Sequence, residues 1–146
     1  EIKRREIYVK DKEMFMIYNQ KVPFYDMIND HVVSLINLES LKDFESRSGL
    51  SIDHERFRPN IVIDGMKPFQ ELELAKKKIK IGDTLFEVFC NTPRCKATIY
   101  PYQSIISDFN LPEKLNEVYG HIDFGIYLKP ISSGHINLDN TISISE

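Results

Sequence analysis

Between Lys77 and Cys90 the chain reads KKIKIGDTLFEVFC, two alternating apolar and polar runs on either side of a Gly82-Asp83 pair. A period of two marks a strand with one face in a core. Gly-Asp between two such runs closes a tight hairpin. Phe86, Val88 and Cys90 are expected on one face and Leu85, Glu87 and Phe89 on the other, which makes Cys90 a packing residue.

Similar short runs recur along the 146 residues. Residues 5–10 and 13–18 read as a hairpin about Asp11-Lys12. HVVSLINL continues as a strand from His31, and FRPNIVIDG is a strand entered through Pro59 and left through Asp64-Gly65. DFGIYLKPI and NTISIS are strands that bracket a turn-like SSGHINLD. Two helices interrupt this pattern. Leu38, Leu41 and Phe44 recur at helical spacing before a Gly49 stop, with Ser40 near the start, and LPEKLNEVYG runs from Pro112 to Gly120. Seven or eight short strands with two short helices predict a mainly β, barrel-like fold in one domain, 1–146. Residues 1–32 are read as N-terminal strands that continue from, or are left over from, a region upstream, since the first residue is Glu1 and not methionine.

The formal charge is −3 with both signs interspersed, and the basic runs are short, the longest being Lys76–Lys78 followed by Lys80. No nucleic-acid partner is expected. No apolar stretch approaches the roughly 20 residues that span a bilayer, and EIKRREIYVK lacks a signal-peptide core, so a cytoplasmic protein without a membrane partner is expected. Two cysteines cannot supply the four thiolates of an iron–sulfur cluster or an all-cysteine zinc site. The four histidines show no metal-ligand spacing, and no phosphate loop or dinucleotide fingerprint is present.

NTPRCKAT carries the chemistry. Cys95 follows Pro93 and Arg94 at a bend, which suggests a presented thiol, and the adjacent cation favours the thiolate, both nucleophile and soft metal ligand. Thr98 adds a hydroxyl, and no Cys-His dyad accompanies it. In RFRPN, a strand would alternate Arg56, Arg58 and Asn60 onto one face. Guanidinium forks and an amide suit a polyoxygenated anion; a solvated strand edge with surface ion pairs is the alternative.

SLINLESLKDF, RFRPNIVIDG, Pro68-Phe69, IGDTLFEV, PRCKAT and FGIYL, in that order, resemble the MOSC domain, the C-terminal module of molybdenum cofactor sulfurases. The resemblance runs from about Val33 to 146 and is greatest to the version in the mitochondrial amidoxime-reducing component and its bacterial relatives. It implies a MOSC-type β-barrel and two functions. One is a molybdenum-cofactor-binding (molybdopterin) oxidoreductase that reduces N-hydroxylated small-molecule substrates with electrons from a separate electron-donor protein. The other is a sulfur carrier holding a persulfide on Cys95, received from a cysteine desulfurase that keeps the pyridoxal phosphate to itself. A non-catalytic interaction module is the third reading. The resemblance makes Cys95 the catalytic thiolate and metal ligand and sets Arg94 against the anionic pterin. Arg58 and Asn60 match the family's RPN, Ser40 its SL and Thr98 its RCxxT, and Arg56 joins them as a cofactor-binding candidate.

Overall fold

The computed structural model describes residues 32–145, together with two strands nearer the N-terminus, β1 (Ile7–Val9) and β2 (Glu13–Met16). These are followed by β3 (Val33–Asn37), α1 (Leu38–Ser48), β4 (Ile61–Ile63), β5 (Lys78–Ile81), β6 (Thr84–Pro93), α2 (Leu111–Tyr119), β7 (Asp123–Pro130), β8 (Gly134–Asn137) and β9 (Ile142–Ser145). Seven strands form one sheet in the order β1-β4-β3-β7-β6-β5-β9, and β2 pairs with β8 in a second. The sheet is antiparallel except for β3 and β4, which run parallel with α1 in the crossover, as a parallel pair requires.

Alternation along the central strands fills two cores. Leu35, Ile61, Ile63, Ile126 and Leu128 meet Ile79, Phe86, Val88, Ile136 and Ile142 in one cluster. Strands β3 to β9 all contribute to it, so the sheet curls around this cluster as a barrel does. The intervening residues Ile36 and Val62 face outward, joined by Phe124 beyond the Gly125 irregularity of β7, against Leu41 and Phe44 of α1 and Leu111 and Leu115 of α2. β3 is buried on both faces along its whole length, the polar Ser34 and Asn37 included.

Both helices follow their sequence signals. Asn37 caps α1 by accepting from Glu39 N–H, and Gly49 closes it in the left-handed region at φ 71°. Asn110 accepts from Glu113 N–H to cap α2, Pro112 sits in its first turn, and Gly120 ends it at φ 75°. The Tyr119 hydroxyl donates to Asp43 at 2.7 Å, tying α2 to α1, and burial pushes its pKa up.

Three expectations are corrected. β1 and β2 are strands, but β1 pairs with β4 and β2 with β8, not with each other; the step between them lies outside the described residues. SSGHINLD is not all turn, because Gly134–Asn137 is strand β8 and its Ile136 is fully buried. Cys90 does not share a face with Phe86 and Val88. Val88 pairs with Leu128 but Cys90 with Tyr127, so one extra residue in β6 forms a bulge that reverses the alternation. Cys90 is left half-buried outside the core clusters. No helix among the described residues is long and apolar enough to cross a membrane.

One buried carboxyl anchors α1. Glu71, fully buried, accepts from Ser40 Oγ at 2.6 Å and from Asn37 Nδ2 at 3.0 Å, and Ser40 Oγ in turn accepts from Phe69 N–H at 2.8 Å. Burial raises the Glu71 pKa above the ordinary carboxylate value, against the lowering by these two side-chain hydrogen bonds. The folded state therefore holds this proton more tightly than the unfolded chain. Its contribution to stability is present at acid pH and is lost as pH rises through the raised pKa. Urea unfolding across a pH series is expected to show this slope in the wild type and not in Glu71→Gln. Glu71→Ala, which leaves the Ser40 hydroxyl without its acceptor while Asn37 Nδ2 keeps Met66 O and Lys67 O, is expected to cost about 1–3 kcal/mol for that one buried group.

Candidate functional site

The segment 53–60 is not the strand its alternation suggested. His54–Phe57 is a 3-10 turn capped by Asp53, Arg58 follows in the left-handed region at φ 50°, and the strand starts only at Ile61. The three polar side chains consequently part company. Arg56 is buried at 3% exposure, where Nε donates to Thr98 O at 2.7 Å, Nη2 to Ile99 O at 3.0 Å and Nη1 to Asp108 at 3.0 Å. Its guanidinium also lies 3.9 Å from the Phe109 ring centroid. The hydrogen bond from Arg56 holds the Asp108 pKa below its ordinary value. Asn60 Oδ1 accepts from Ser34 N–H at 2.9 Å and from Ser34 Oγ at 3.1 Å, fixing the start of β4 to β3. Arg58 remains exposed, with Nη1 reaching Ala97 O at 3.3 Å.

Arg94 also turns inward. At 7% exposure its Nε and Nη2 both donate to Phe124 O, and Nη1 donates to Phe57 O at 3.1 Å. The guanidinium rests 5.1 Å from the Phe57 ring centroid, and that ring stacks on Phe124 at 4.1 Å. Gly125 makes this possible: at φ 78° it sits where a Cβ would strike Leu35 O and come within 3.2 Å of Arg94 Nη2. A second irregularity in the β6–β7 ladder falls here, between the pairs Asn91–Ile126 and Pro93–Asp123.

Cys95 is exposed at the start of the 3-10 turn Lys96–Ile99, and its carbonyl accepts from Thr98 N–H at 3.0 Å and Thr98 Oγ1 at 2.7 Å. A pocket of about 110 Å³ opens beside it. Of the residues singled out from sequence, Arg58, Arg94, Cys95 and Thr98 line it; Arg56, Asn60 and Ser40 do not. Ser40 belongs to the Glu71 network, and Arg56 acts on the pocket only by gripping the turn that follows Cys95. The cation this geometry leaves toward solvent at the pocket is Arg58. Ser34, Phe57, Thr92 and Tyr127 also line it. Sequence reasoning passed over Thr92 because plain alternation puts it on the Phe86 and Val88 face, and it is the β6 bulge that turns it to the pocket. Among the described residues no three His, Cys, Asp or Glu side chains gather as a metal-holding group.

The sequence matches the family profile described as MOSC domain over residues 24–143. It is 30% identical over 111 residues to a molybdenum cofactor sulfurase of Drosophila mojavensis, covering 73% of this chain and 14% of that protein. It is 36% identical over 80 residues to a molybdenum cofactor sulfurase of Oryza sativa subsp. japonica, covering 49% of this chain and 10% of that protein. The chain thus spans a small part of the length of these curated relatives. In fold it is similar to the crystal structure of YiiM from Geobacillus stearothermophilus, with a TM-score of 0.60 at 18% identity, covering 78% of this chain and 54% of that one.

The two arginines of this pocket are expected to separate in urea unfolding. Arg94→Ala orphans the Phe57 and Phe124 carbonyls and should cost about 1.5–3 kcal/mol for each charge-assisted hydrogen bond lost, whereas Arg58→Ala should stay within about 0.5 kcal/mol of wild type. The thiols should separate as well. Burial, aided by the Asp123 charge, raises the Cys90 pKa, while Cys95 is exposed. Peptide mass mapping after brief iodoacetamide treatment at pH 7 is expected to find the label on Cys95 before Cys90.

Proposed function

The chain belongs to the MOSC domain family, and on that premise we propose that it is a molybdenum-cofactor-binding oxidoreductase domain acting on N-hydroxylated small molecules. The observation that carries this reading is the placement of an exposed thiol, Cys95, in a pocket whose rim holds the exposed guanidinium of Arg58. A thiolate is a soft ligand of the kind molybdenum takes, and a guanidinium fork matches anionic oxygens. These residues fit the group. About 110 Å³ is small beside a cavity that encloses a drug-sized ligand, so the pocket takes the reacting end of the cofactor.

When bound, the cofactor supplies the redox-active metal. The chain's own residues do the positioning. Cys95 holds the metal through its sulfur, and the Thr98 hydroxyl and Arg56, by binding carbonyls on either side of the turn, fix the direction in which that sulfur points. Arg94 keeps the pocket's inner wall closed by joining the carbonyls of Phe57 and Phe124. Arg58 binds the anionic part of the pterin. Reducing a hydroxylamine to an amine and water consumes two electrons and two protons, and the electrons come from a separate donor protein.

The name borne by the curated relatives, molybdenum cofactor sulfurase, favours a second reading, in which Cys95 carries sulfur. The Cys95 thiolate would attack the outer sulfur of a desulfurase persulfide. That sulfur's bond to the donor breaks, the donor thiolate leaves, and Cys95 holds the persulfide.

Protein expressed in a host that makes molybdenum cofactor separates these readings. Near-stoichiometric molybdenum, with fluorescent oxidised pterin on release, is the expected result. Neither metal nor pterin, alongside sulfane sulfur that cyanide discharges and Cys95→Ser lacks, would replace the oxidoreductase by the carrier. Arg58→Ala should lower pterin retention by about tenfold or more, the loss of one charge-assisted hydrogen bond, with Arg58→Lys a partial rescue because lysine keeps the charge and lacks the fork.

A further inference from the structure

The Ser, Thr and Tyr side chains that line the pocket are Ser34, Thr92, Thr98 and Tyr127, and all but one are engaged. Ser34 Oγ lies 3.1 Å from Asn60 Oδ1, Thr98 Oγ1 donates to Cys95 O, and Tyr127 has an interaction of its own. Thr92 Oγ1 is buried with no hydrogen-bond partner, in a side chain 2% exposed. Among the described residues two other buried side-chain oxygens share this state, Thr84 Oγ1 and Asn91 Oδ1, and neither residue lines the pocket. Asn91 pairs with Ile126, whose side chain faces the barrel interior. Thr92, the next residue along β6, turns to the opposite side, where the pocket lies.

A hydroxyl buried without a partner is a standing cost that valine, of the same shape, would remove. Thr92 is therefore poorly explained by packing alone. Resting on the cofactor-binding reading above, we infer that Thr92 is a further binding residue of this pocket, its hydroxyl donating a hydrogen bond to an anionic oxygen or sulfur atom of the group held at Cys95. The hydroxyl is then unsatisfied only while the pocket is empty of ligand, and the side chain trades stability of the free protein for affinity. A merely structural threonine predicts the reverse, a hydroxyl whose removal weakens the fold.

The test compares wild type, Thr92→Val and Thr92→Ser, each made in a host that supplies molybdenum cofactor. Molybdenum and released pterin per chain are followed through dialysis, and the thermal midpoint is measured on cofactor-free protein from a host that makes none. Thr92→Val is expected to lose cofactor about tenfold faster than wild type, the effect of one hydrogen bond to a charged acceptor. Its cofactor-free midpoint should equal or exceed that of wild type, and Thr92→Ser should retain cofactor. A loaded wild type beside an equally retentive Thr92→Val overturns the assignment of Thr92 alone. So does a cofactor-free Thr92→Val that melts several degrees below both wild type and Thr92→Ser. A wild type that carries neither metal nor pterin overturns the proposed function and this assignment with it.

Discussion

Backbone carbonyls bound by buried guanidinium groups hold the pocket together. Arg94 reaches from the end of β6 to Phe57 O and Phe124 O, and Arg56 reaches from the turn before β4 to Thr98 O and Ile99 O. The two reach in opposite directions between the same segments, so 53–60 and 92–99 are cross-braced. Neither segment has a ladder of its own at that point: one is a 3-10 turn followed by a left-handed residue, the other a strand end running into a second 3-10 turn. A carbonyl buried outside a ladder needs a donor from elsewhere, and these guanidinium groups supply one. Arginine suits this role because its planar fork offers several donors in fixed directions and stays charged, and the Phe57 and Phe109 rings cover its faces.

The same economy explains why the exposed thiol sits at a defined place on an irregular stretch. Every group that could let Cys95 wander is tied: its own carbonyl by Thr98, the following turn by Arg56, the preceding residue by Arg94. The N–H of Arg94 itself donates to Ile122 O at 2.9 Å. Within 92–99 the exposed residues are Pro93, Cys95, Lys96 and Ala97. A soft ligand or nucleophile on a loop reaches the precision of one on a strand only with such support.

Much of the fold was legible because it follows local rules. The Gly82 hairpin and the Gly49 and Gly120 helix stops follow from period and punctuation. The family was legible from six ordered segments, which the match over residues 24–143 bears out. The failures share one cause: alternation was extended across irregularities it cannot signal. It placed Cys90 in the core, where a bulge turns it out, and it put Arg56, Arg58 and Asn60 on one face, where a 3-10 turn separates them. Thr92 was hidden for the same reason. The pairings of β1 with β4 and β2 with β8 were missed because they link distant parts of the chain, and a run of residues specifies its own hydrophobic face but not its partner.

The central position of β7 has a temporal consequence. Leu35 in β3 pairs with Ile126, and Cys90 in β6 pairs with Tyr127, so strands made early wait for one made late. During synthesis both cysteines are made before β7, the strand that pairs with Cys90 in the folded chain, and Arg94 has no Phe124 carbonyl to bind until then. Contacts of such sequence separation are slow to close because the loop's entropy is lost before the pairing rewards it. The nascent chain therefore passes through an interval in which Cys90 is as open to oxidants as Cys95, and the arrival of residues 123–130 partly covers Cys90 while Cys95 stays exposed.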